Sequence, residues 1–249
     1  MSDAMSEAAR AAGVPIQQAV AIFMLHPETF AESVGAGYQN PLAGYVAGRG
    51  GVLGEANGVT VGSVFVVFEP NALGALWEEG VAVRGAAGAA ELYWEQTANF
   101  ARKHLAGTPG LNRFAELGEK IIAATPAAGL PLYAGWRTMP LADDAPARAL
   151  QVMFILRELQ AGVHFNALAN SGIHPVKAHM LNKGREYTTM FGWPEPFADG
   201  SDKRDRYAEI QDVTNRRMTE IFAAALNIDE ADELARLGAG ALTSLKAAG

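Results

Sequence analysis

Residues 143–172 read DDAPARALQVMFILRELQAGVHFNALANSG, and no other segment of the chain carries so complete a helix. Asp143 or Asp144 supplies an N-cap oxygen, Pro146 suits the first turn, and Gly172 ends a run that reaches about Asn170. Most of its length is apolar, as expected of a helix covered by others. Within it Arg157, Gln160, Ala161, His164 and Leu168 fall along one stripe, with Leu150 and Phe154 above them. Polar groups on an otherwise apolar helix face resemble the wall of a ligand pocket. The plainer account is that His164 is a hydrogen-bonded packing residue, since neutral imidazole can be buried once its nitrogens are paired.

Outward from this helix the pattern stays helical. Pro15 to Leu25 repeats Ile16, Ala19, Val20, Phe23 and Met24 at helical spacing, Pro27 restarts the chain, and Glu28–Val34 adds a turn or two. Tyr45–Gly54 is glycine-dense and fits a close-packed helix or a loop. Val59–Phe68 is continuous and rich in valine, so strand and buried helix compete there. Gly85–Leu105 is amphipathic, and Thr108-Pro109 is an N-cap signal for a helix toward Ala124. Gly129–Leu141 is an apolar connection. Pro175 opens a short helix to Lys183, Gly192–Phe197 breaks the pattern, Ser201 caps a charged helix to Leu226, and a last helix covers Asp229 to Lys246. The fold class is mainly α, a multi-helix bundle-like core, with a division into residues 1–184 and a C-terminal part, 185–249, packed on it.

About half of the 249 residues are apolar (49%) and 19% are charged, which supports a substantial core and excludes general disorder. The net charge of −7 disfavours nucleic acid as a partner unless a local basic patch works against it. With no cysteine, disulfides, thiolate catalysis and Cys-ligated metals are excluded. Met1 to Arg10 lacks the pattern of a signal peptide, and the apolar runs Ala19–Leu25 and Val59–Phe68 fall short of a membrane span. A cytoplasmic protein, with no membrane partner, is expected.

Most catalytic signatures are missing: there is no P-loop, no G-x-S-x-G and no H-E-x-x-H, and Gly48 and Gly50 are followed by Leu53 where a dinucleotide fingerprint needs glycine. The five histidines carry what chemistry remains. His174 and His179 are five apart across Pro175, and Glu158 and His164 lie roughly 120° apart in helical projection, so neither pair shares a face. His26 fits a C-terminal cap of the helix before Pro27, where a cation is favourable, and His104 reads as solvated surface. Arg49, flanked by glycines, can approach a carboxylate or phosphate closely, or can form an internal salt bridge.

Leu25-His26 with Phe30, Gly44-Tyr45-Val46-Ala47-Gly48-Arg49, Leu130-Pro131-Leu132-Tyr133-Ala134, Leu156-Arg157-Glu158 with His164, Ala178-His179, Gly192-Trp193 and Tyr207-Ala208-Glu209-Ile210 together resemble an actinobacterial group of helix-turn-helix family proteins. The resemblance implies an almost wholly helical fold whose C-terminal part is similar to a winged-helix or helix-turn-helix unit, and it brings no established reaction. It also implies histidines that this chain lacks, since Leu159, Gln160 and Gly162 precede His164 and Asn182 stands where a histidine is frequent.

Three functions compete. The first is a small-molecule binding protein or cofactor-independent enzyme, performing proton transfer, hydration or isomerisation. His164 and His26 would be its catalytic groups, and Arg49, Tyr45, Trp136, Phe154, Arg157 and Gln160 its ligand-binding residues. The second is a helix-turn-helix transcriptional regulator, suggested by Lys203-Arg204-Asp205-Arg206 and Arg216-Arg217 but opposed by interrupting acids. The third is a metal or haem protein using His26, His164 and His179. The sequence itself names no cofactor. The first reading, in a homodimer, is the expectation carried forward.

Overall fold

A computed structural model describes residues 3–248, so Met1 and Ser2 of the stretch Met1 to Arg10 lie outside the described residues. The chain forms α1 (Asp3–Leu25), α2 (Pro27–Gly35), α3 (Pro41–Gly50), α4 (Gly58–Phe65), α5 (Pro70–His104), α6 (Leu111–Ala124) and α7 (Pro131–Trp136). Then follow α8 (Ala145–Ser171), α9 (Pro175–Lys183), α10 (Arg185–Met190), α11 (Arg204–Ala225) and α12 (Ile228–Ala248). No strand occurs among the described residues, so no β-wing accompanies the C-terminal helices.

Helix α8 is the central post. The Asp144 side chain accepts from Ala147 N at 3.2 Å, and Gly172, at φ 75°, terminates the helix in the left-handed region. Its first half is buried on nearly every side, because α1, α5, α6, α7 and α11 all pack against it. A contiguous apolar core runs from α1 through α8 to α12, so the C-terminal helices share it with the rest of the chain.

Several boundaries move from their sequence expectations. Helix α1 starts at Asp3 and carries Pro15 inside it. Ala8, Ala9 and Ala12 are buried, and α12 packs along this helix, which offsets the hydrogen bond lost at Pro15. With 23 residues α1 is also long and apolar enough to cross a bilayer by length and composition, contrary to the shorter runs read from sequence, yet most of its apolar window is buried in the fold. Val59–Phe68 resolves into α4, after which Val66, at φ 52°, turns the chain out of the helix. Helix α6 begins at Leu111 behind Gly110, while the Thr108 hydroxyl donates to Ser244 Oγ at 2.8 Å instead of capping. Before α11 a short 3-10 turn at Ser201–Lys203 intervenes, and no side chain caps it. Helix α5 is broken by Gly85, at φ 71° and ψ 169°, so the stretch read as Gly85–Leu105 is the second half of a longer, kinked element.

Candidate functional site

The polar stripe of α8 faces a cavity of about 350 Å³ enclosed by α1, α8, α9, α10 and α11. Arg157, Gln160, Ala161, His164 and Leu168 all line it, opposite Gln17 and Met24 of α1 and His179, Tyr187, Tyr207 and Thr214 of the C-terminal helices. The five stripe residues thus share one concavity. Tyr45 also reaches it.

The other expected pocket residues lie elsewhere. Trp136 and Phe154 are fully buried with ring centroids 4.8 Å apart, part of an aromatic cluster with Tyr93 and Trp94. Arg49 is likewise interior. Its Nε and Nη2 donate to the two carboxylate oxygens of Glu158 at 2.8 and 2.9 Å, and Nη1 reaches the Tyr45 hydroxyl at 3.4 Å. The guanidinium also lies over the Phe65 ring, 4.6 Å from its centroid. Arg157 adds a second donor to Glu158 at 2.6 Å. Burial pushes the Glu158 carboxyl up, but the two guanidiniums outweigh it and hold the group below the ordinary glutamate range. The same balance keeps Arg49 above its usual value. Buried and committed to this bidentate pair, Arg49 does not line the cavity.

The histidines separate into two places. His164 Nδ1 lies 3.3 Å from Thr214 Oγ1, and burial lowers its pKa. His179 is 3% exposed and stacked on Phe191 at 4.8 Å, and neither ring nitrogen makes a hydrogen bond. Burial, reinforced by the charge of Lys183, brings its pKa down to about 4. His26 is not with them. It N-caps α2, Nδ1 accepting from Glu28 N at 3.2 Å, instead of closing the C-terminus of α1. The set His26, His164 and His179 therefore has no common centre. His104, expected in solvent, has a side chain only 7% exposed, packed on Phe100 and paired with Glu28.

Beyond the cavity, α9 and α10 form two short helices joined through Gly184 alone. At φ 82° this residue occupies a region that favours glycine. Thr188 N and Thr188 Oγ1 both donate to the Gly184 carbonyl, fixing the second helix against the first. Lys183 and Arg185 flank the turn and are exposed. Arg185 pairs with Glu195 at 2.7 Å and lies over Phe197, while Lys183 makes no ion pair among the described residues. On the adjoining surface, grooves beside α11 expose Lys203, Arg204, Arg206, Arg216 and Arg217 and share Ser171, Arg206 and Glu209.

The sequence model of the helix-turn-helix family matches residues 9–249. The chain belongs to the helix-turn-helix family. No curated protein and no solved structure matches it. Family membership over nearly the whole chain overturns the expectation of a small-molecule binding protein or cofactor-independent enzyme, and with it the view that nucleic acid is disfavoured as a partner. The net charge misled because it averages over the molecule. Residues 174–217 carry eight Lys/Arg against seven Asp/Glu, whereas the whole chain carries 20 against 27.

Proposed function

We propose that this helix-turn-helix family protein is a transcriptional regulator that contacts DNA through α9, Gly184 and α10, with the basic side of α11 supporting it. The observation that carries the reading is the glycine-hinged helix pair, set in residues 174–217, where eight Lys/Arg stand against seven Asp/Glu. Lys183, Arg185, Arg204 and Arg216 can meet phosphates, which would displace Glu195 from Arg185. Interleaved acids keep non-specific affinity low, so binding depends on a matched site more than on bulk attraction. A cytoplasmic location, a homodimer reading paired half-sites, and an actinobacterial origin belong to the same reading.

The test is a shift assay on mixed genomic fragments over a range of salt, with the Lys183→Ala/Arg185→Ala double variant beside the parent. The parent should retain a subset of fragments and release them as salt rises. The double variant should bind more weakly, with a log–log salt slope reduced by about two. Retention of no fragment even at low salt, or equal binding by a folded double variant, would refute DNA contact through this surface.

A further inference from the structure

A second cluster of chemically capable side chains lies at the junction of α1, α2 and the end of α5. His26 and His104 have ring centroids 5.3 Å apart, and both rest on Phe100, at 5.1 and 4.3 Å. The Glu28 carboxylate lies beside His104. Its Oε2 is 2.9 Å from His104 Nε2, and its Oε1 accepts from Lys103 Nζ at 2.6 Å. One potential ligand atom from each of His26, Glu28 and His104 falls within 4.8 Å of the other two.

We propose that His26, Glu28 and His104 form a binding site for a divalent transition-metal ion of the Zn²⁺ type, tying the start of α2 to the last turn of α5. Two imidazoles and one carboxylate suit such an ion, whereas Ca²⁺ and Mg²⁺ prefer all-oxygen sets. Donors on a tetrahedral zinc stand roughly 3.3 Å apart, given bonds of about 2.0–2.1 Å. Closing from 4.8 Å therefore takes side-chain rotations of an ångström or so. Phe100 supplies a dry floor, and the partly exposed Glu28 leaves a way in. Lys103 holds the carboxylate's other oxygen, which favours a single-oxygen ligand, and Glu32, within electrostatic reach of both Glu28 and Lys103, adds negative charge that offsets the ammonium. On binding, the metal replaces the proton that His104 Nε2 shares with Glu28. That proton moves to Nδ1 or is released to solvent. At His26 the metal competes with the Glu28 backbone N–H, whose 3.2 Å contact is long enough to yield.

The site is independent of DNA binding, so its test does not depend on that reading. Chelator-treated full-length chain is titrated with ZnCl₂ by calorimetry, and with CoCl₂ while the visible d–d absorption is followed. His26→Asn keeps a helix-capping acceptor, Oδ1 in place of the ring Nδ1, but removes the imidazole, and His104→Gln removes the second. His174→Asn makes the same cap-preserving change at the start of α9 and serves as control. We expect one equivalent bound at micromolar Kd or tighter, a tenfold or greater loss in each site variant, and no change in the control. Zinc should raise Tm in the parent and the control only. The proposal is overturned if the parent shows no saturable binding, if both site variants bind as it does, or if only one of them loses affinity.

Discussion

Glu158 has a fully buried side chain and is held by two arginines, one on its own helix and one 109 residues earlier. Neutralising it leaves Arg49 charged and enclosed, so Glu158→Gln should cost about 3–5 kcal/mol, read as a lower midpoint in urea unfolding. Its depressed pKa stabilises the fold above the ordinary glutamate value, and that contribution fades as pH falls through the lower folded value. His179 acts at higher pH and with its own sign. The unfolded chain takes up a proton near 6.5 that the folded chain refuses until about 4, so stability drops on acidification across that window. Between pH 7 and 5 the loss from this group should be about 2 kcal/mol. His179→Leu, which also removes two unsatisfied buried nitrogens, should flatten the profile there, as chemical denaturation at several pH values would reveal. The sequence made the glycines around Arg49 conspicuous and left open a salt bridge, which is what the structure contains. It could not name Glu158, because the pairing is tertiary.

Helices α3 and α5 approach so closely that side chains are excluded between them. A Cβ on Gly80 would lie 2.5 Å from the Ala43 carbonyl oxygen and 2.6 Å from Ala47 Cβ. Gly80→Ala should therefore destabilise by about 1–3 kcal/mol despite the better helix propensity of alanine. Gly35→Ala, where nothing lies within 4 Å, should be neutral or slightly stabilising. Thermal unfolding of the two variants separates crowding from propensity. Elements punctuated by local chemistry were legible: Asp144, Pro146 and Gly172 bound α8, and Pro175 with Lys183 bounds α9. Those decided by neighbours were not. The first half of α1 is an alanine-rich surface that matters only once α12 covers it, and the six-residue α7 sits in what reads as a connection.

Across the whole molecule the division of labour is electrostatic. Outside residues 174–217 acids outnumber bases by 20 to 12, so the helical body repels polyanions while the segment containing α9, α10 and much of α11 is nearly balanced. The α8 stripe lines a cavity that α9 and α10 also line. Helical periodicity reports what one element hides, not which distant element hides it. That is why the wall of the cavity was readable and its role was not.

The pairing of α1 with α12 constrains how the protein is made. Gln18 meets Lys246 across 228 positions, so a ribosome exposes the alanine face of the first helix long before its cover exists. At about 5–20 residues per second, that face stays bare for on the order of ten seconds or more. During biosynthesis the leading helix is thus an adhesive surface awaiting its mate, and chaperone capture at that stage would shape cellular yield more than the stability of the finished molecule.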